Sequence, residues 1–148
     1  MMRSSQLATV LQKGLPNDYV TVCPVNKLVL DNNGIYVVNT DNDKGRHWTL
    51  IFVTDTTVEF FDSFGRDPKF IQNGSMFMNS IYKTNKTLVV TSKLLQHRSS
   101  YVCGWYCLAY AYIRVKTNSV QMFYDMFTMN LLRNDQFVVF LVKTLLLL

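Results

Sequence analysis

At 148 residues the chain is long enough for one sizeable core and too short for two ordinary domains, so residues 1–148 are expected to form a single domain. Apolar residues at 49% and charged residues at 17% exclude a disordered chain. Three scattered cysteines, Cys23, Cys103 and Cys107, exclude a disulfide framework or a zinc cluster, and a net charge of +5 fits attraction to nucleic acid or acidic partners as well as it fits plain solubility.

The first residues, MMRSSQLATVLQKG, lack the continuous apolar stretch of a secretory signal. The C-terminal run FVVFLVKTLLLL is short and interrupted by Lys143, which fits a docked helix better than a membrane span of about 18 apolar residues. A soluble, intracellular, non-secreted protein without membrane contact is the expectation.

In chain order, Ser4 or Ser5 is expected to cap a short helix through Lys13, ended by Gly14 and Pro16. YVTVCPVNKLVLDNNGIYVVNT carries β-branched and aromatic runs, broken by Pro24 and by DNNG, where Asn33-Gly34 is a strong turn signal. After the polar loop DNDKG, WTLIFVTD and TVEFFDSFG read as adjacent antiparallel strands over 48–54 and 57–62, joined near Asp55 and Thr56. A helix is expected over 75–82, then a strand in TLVVTSKLL, then helices in CGWYCLAYAYIRVKT, SVQMFYDMF and MNLLRNDQFVVFLVKTLLLL. The pattern predicts an α+β domain with a small, mostly antiparallel sheet flanked by helices.

The candidate chemistry falls at particular points of this scaffold. His47 precedes one predicted strand and Asp62 ends its partner, so a hairpin through Asp55 brings both to the same end. There an aspartate can accept the imidazole Nδ1 hydrogen and leave Nε2 facing a nucleophile. Cys103 opens a predicted helix, where the helix dipole and a nearby imidazolium favour the thiolate. Gly104 leaves space for a substrate backbone, the Cys103 amide is free in the first helical turn, and the Gln96 side chain adds a neutral donor for developing negative charge. Each residue taken singly has an ordinary structural use: a small buried hydrophobe for Cys103, a loop position for His47, a turn start for Asp62, a surface position for Gln96.

Other residues offer less. Asp41 and Asp43 hint at a calcium loop but lack the later glutamate, so DNDKG reads as a plain turn and no metal is expected. Cys107 reads as core packing, Cys23 sits before Pro24, and His97 has no acid placed to orient it. Trp105, Tyr106, Tyr110 and Tyr112 read as a packing stripe.

Taken together, GRHW at 45–48, FFDSFG at 60–65, and the seven-residue step from Gln96 to Cys103-Gly104 resemble the adenovirus endopeptidase (adenain) family and its relatives in large DNA viruses and virus-like transposons. VVNT and CGWYC extend the likeness over roughly residues 36–115. The resemblance implies a papain-like cysteine protease fold and an endopeptidase acting on viral structural precursors beside small glycine residues, in the host nucleus or cytoplasm and in the virion. It implies His47 as general base and acid, Asp62 as its orienter, Gln96 in the oxyanion hole and Cys103 as nucleophile, with Trp48 and Gly104 beside the substrate. It implies a monomer that needs no cofactor for its chemistry.

Family enzymes are stimulated by a disulfide-linked peptide and by DNA. Residues 66–102 contain no cysteine, so an activating peptide would bind here without a covalent link. Lys83, Lys86, Lys93 and Arg98 are the candidates for a phosphate-binding face, with a merely solvated basic face as the alternative. Two other readings stand beside the protease of viral type. SUMO and ubiquitin deconjugating proteases resemble the same family, although Val102 stands where SUMO proteases have aspartate. A catalytically idle, DNA-binding virion protein of the same fold is the third.

Overall fold

The computed structural model describes residues 2–41 and 47–146. The DNDKG reading lies largely outside these residues, as do Gly45 and Arg46 of the GRHW motif.

The chain is an α+β protein built on one mixed five-stranded sheet. Helix α1 (Ser4–Gly14) is followed by β1 (Val20–Pro24), β2 (Gly34–Asn39), β3 (Trp48–Val53) and β4 (Thr57–Phe61). After them come α2 (Gly74–Tyr82), β5 (Thr87–Val90), α3 (Cys103–Thr117), α4 (Val120–Tyr124) and α5 (Leu131–Leu145). Arg3, not Ser4 or Ser5, holds the cap position of α1, and its N–H donates to the Gln6 side chain at 2.8 Å. The helix buries Leu7 and Leu11 against the core.

Strand order in the sheet follows the chain, β1 to β5. The two inner pairs are antiparallel, as expected for the 48–54 and 57–62 hairpin, but both outer pairs are parallel. The expectation of a mostly antiparallel sheet is thereby corrected. Parallel pairing needs a crossover, and α2 supplies one between β4 and β5 while the segment around the short 3₁₀ turn Val25–Lys27 supplies the other. The Asn33-Gly34 signal therefore closes no hairpin. Gly34 adopts φ +141° and begins β2 against Tyr19, where a Cβ would fall 2.5 Å from the Tyr19 carbonyl oxygen.

Period-two alternation in the strands makes two cores. Ile35, Val37, Leu50 and Phe61 face α1, α3, α4 and α5, whereas Tyr36, Val38, Ile51, Val58 and Phe60 face α2 and the 25–28 segment. Helix α3 crosses the first face and is buried along most of its length, which explains its weak amphipathicity. Of the aromatic stripe, Tyr106 and Tyr110 are fully buried with satisfied hydroxyls. Tyr106 donates to Asp135 at 2.8 Å and Tyr110 to Glu59 at 2.6 Å, Glu59 being also paired with Arg114. No helix among the described residues is long and apolar enough to cross a membrane.

Candidate active site

The β3–β4 hairpin pairs Leu50 with Phe61, so the residues just outside it, His47 and Asp62, meet at one end of the sheet. His47 Nε2 lies 2.5 Å from Asp62 Oδ1. This reverses the expected use of the ring: Nε2 binds the aspartate, and Nδ1 is the nitrogen left for a thiol. The His47 carbonyl accepts from the Thr40 N–H at 3.0 Å, which holds its main chain beside the end of β2.

Helix α3 brings its first residue, Cys103, to the same place. The Trp48 N–H donates to Cys103 Sγ at 3.4 Å, which sets the thiol beside the residue that follows His47, and Cys103 acts on the His47 ring. Burial on its own pushes the His47 imidazole down. The hydrogen bonds and charges of Asp62 and Cys103 outweigh it and hold the ring up at about 9. Burial likewise works to raise the Asp62 carboxyl, but His47 first and Arg66 second hold it below the usual carboxylate range. His47, Asp62 and Cys103 thus form one contiguous buried group.

Asp62 is saturated with donors. Its Oδ1 also accepts from the Phe64 N–H at 3.3 Å, while Oδ2 accepts from Arg66 N at 3.2 Å and Arg66 Nε at 2.7 Å. The turn that permits this runs through Gly65 at φ +79°, where a Cβ would fall 2.6 Å from Leu94 N. Phe64 stacks on the His47 ring at 4.9 Å between centroids, and the Arg66 guanidinium lies over the Phe64 ring at 5.2 Å. Sequence reasoning missed Phe64 and Arg66. The signal was an arginine four residues after the aspartate across a glycine turn.

Gln96 is fully buried, and both ends of its amide are hydrogen-bonded to serines. Oε1 accepts from the Ser63 hydroxyl at 2.6 Å, and Nε2 donates to the Ser100 carbonyl and hydroxyl, each at 3.1 Å. No hydrogen bond among the described residues joins Gln96 to Cys103. Ser63 was also missed by sequence reasoning; it is the link between the Asp62 turn and the Gln96 loop.

The two residues expected beside a substrate face the N-terminal segment. The Trp48 indole N–H donates to the Met2 carbonyl at 3.0 Å. A Cβ on Gly104 would stand 3.4 Å from both Leu7 and Met2 side chains, so the space expected to admit a substrate backbone is occupied. Cys103 is accordingly 1% exposed and His47 7%.

The basic candidates form no single face. Lys86 donates to Asn33 and to the Thr54 carbonyl at the β3–β4 turn, and Lys83 lies close by at the end of α2. Lys93 packs over the Tyr124 ring and Arg98 is exposed in the Gln96 loop, both at the opposite end of β5. The His97 ring is bound to Ser99 through Nδ1, and its backbone N–H donates to the Asp135 carboxylate. Cys107 is buried and its thiol is pushed well up by burial; Cys23 is half-buried and is pushed up to about 11 by the same cause. No group of three or more metal-ligating side chains occurs among the described residues. No protein-family model matches the chain, and no curated protein sequence matches it either.

Proposed function

We propose that this chain is a thiol endopeptidase of the adenain type, with a papain-like arrangement of Cys103, His47 and Asp62. The observation that carries the reading is the meeting of three distant segments: a carboxylate at a strand end hydrogen-bonded to one imidazole, and a thiol at the mouth of a buried helix held on the N–H of the next residue, Trp48. A structural histidine needs only the carboxylate.

In the proposed reaction, the proton shared by Cys103 and His47 rests on Nδ1, giving a thiolate beside an imidazolium that Asp62 holds through Nε2. The sulfur adds to the scissile carbonyl, and the developing oxyanion is met by the Cys103 N–H, which has no helical acceptor in the first turn, and by Gln96 Nε2. His47 then protonates the leaving amine, and water, deprotonated by the same ring, releases the acyl group from sulfur. Gln96 reaches the oxyanion by giving up one of its two bonds to Ser100. Substrate enters where Met2 now contacts Trp48 and Gly104. The substrates of this reading are viral structural precursors with small glycine residues before the cut, and an activating peptide or DNA would act without a covalent link.

Hydrolysis of fluorogenic peptides with Gly-Gly before the reporter, with and without added DNA, tests the reading. Wild-type cleavage that falls by about 10³-fold or more in Cys103→Ala is the expected result. Cleavage that survives the substitution would assign the activity elsewhere.

A further inference from the structure

Ser63 follows the orienting aspartate and is fully buried, yet the protease reading gives it no task. Its carbonyl accepts from Leu95 N at 2.9 Å and Gln96 N at 3.1 Å, and its hydroxyl donates to Gln96 Oε1 at 2.6 Å. The direction of that last bond is fixed by the other end of the amide. The Ser100 carbonyl can only accept, so the NH₂ group must face it, and Oε1 must face Ser63. With Oε1 held in this way, the NH₂ end is the one turned toward the segment that leads into Cys103.

The main chain on either side of Gln96 is secured independently of that hydroxyl. Asn134 Nδ2 donates to the Leu95 carbonyl at 3.1 Å, and the Asp135 carboxylate accepts from His97 N at 3.3 Å. What is left for the Ser63 hydroxyl is the side-chain amide alone. Without it, Gln96 Oε1 is a buried acceptor lacking a donor, and the side chain shifts to find another.

We propose that Ser63 is a positioning residue that anchors the Oε1 end of the Gln96 amide, whose polarity the Ser100 carbonyl sets, so that the NH₂ end stays presented to the oxyanion. The proposal rests on the thiol-protease reading above and assigns to one residue the coupling of its acid turn to its oxyanion donor.

Two small probes separate this role from a general structural one. In acylation by p-nitrophenyl acetate, the Cys103 sulfur adds to the acetyl carbonyl, an oxyanion forms, and p-nitrophenolate leaves to give the thioester. In alkylation by iodoacetamide, the sulfur displaces iodide and no oxyanion forms. Ser63→Ala is expected to slow acylation of Cys103 about 10-fold or more while alkylation stays within about 2-fold, and Ser63→Thr, which keeps the hydroxyl, is expected to retain most of the acylation rate. Added to Gln96→Ala, Ser63→Ala is expected to change nothing further. Ser63→Cys, close in volume and a weak donor, carries the same comparison should the alanine variant not fold. Equal losses with both probes, an unchanged acylation rate, or a further loss on top of Gln96→Ala would each overturn the proposal alone. Alkylation of Cys103 that is independent of His47 would overturn the protease reading itself.

Discussion

Asp62→Asn is expected to lower peptide turnover by about 10⁴-fold and to cost about 3 kcal/mol of stability. The isosteric change is severe because each carboxylate oxygen serves two donors: Oδ1 takes His47 Nε2 and the Phe64 N–H, and Oδ2 takes the Arg66 N–H and Nε. Whichever way the new amide turns, its NH₂ faces a pair of donors. Turned toward His47, it forces the opposite tautomer and removes the base from Nδ1. Turned toward Arg66, it opens the turn at Gly65 and leaves a guanidinium without its carboxylate. Peptide hydrolysis and thermal unfolding of the variant measure the two effects separately. Turnover within about 10-fold of wild type would show that the carboxylate does not orient the base.

The second large effect is on stability against pH. His47 is held at about 9 in the folded chain against 6.5 in the unfolded chain, so the folded state binds the proton more tightly. Its contribution is complete below pH 6.5 and is lost as pH rises through about 9, on the order of 3 kcal/mol at most. Asp62 works in the other direction: its lowered value stabilises the fold above the usual carboxylate range and is lost as pH falls through that lowered value. Denaturant unfolding of the wild type and of His47→Gln at pH values from 6 to about 9.5 isolates the histidine. The wild type is expected to lose stability on the alkaline side, and the variant, with no titrating ring, to lose distinctly less. Parallel curves would mean that the ring is neutral in the fold.

Much of the scaffold is readable from local pattern. WTLIFV and TVEFF alternate with strand periodicity around a polar two-residue turn, and their pairing alone carries His47 to Asp62 across 15 residues of chain. Helix α3 begins at Cys103 as the CGWYCLAYAYIRVKT run predicts, and α2 occupies 74–82 where 75–82 is expected. The outer strands are less legible. β1 and β5 pair in parallel through crossovers, which leave no turn signature, and Gly34 serves a close approach to Tyr19 where its sequence neighbours suggest a hairpin.

Within the candidate site, residue types are more legible than their bonds. The sequence places a histidine near an aspartate but not the ring edge that meets it, since strand register sets where the residue stands and its side-chain rotamer sets which nitrogen faces Asp62. Ser63 and Arg66 look like ordinary turn residues until Gly65 folds them back on Gln96 and Asp62. Met2 has no motif at all, and only the packing of α1 brings it to Trp48 and Gly104. Lys83, Lys86, Lys93 and Arg98 are close in sequence, yet β5 separates them into two pairs at opposite ends of the sheet.

The most direct measurement is residue-resolved alkylation: low iodoacetamide at mildly acidic pH, read by mass spectrometry on the wild type and on His47→Ala. Exposure alone ranks the half-buried Cys23 first, ahead of Cys103 and Cys107, which are both buried. A thiol activated by His47 predicts the reverse, with Cys103 modified ahead of Cys23 and that preference abolished in the variant. Modification that follows exposure, with Cys23 first in both proteins, would contradict an activated nucleophile at Cys103.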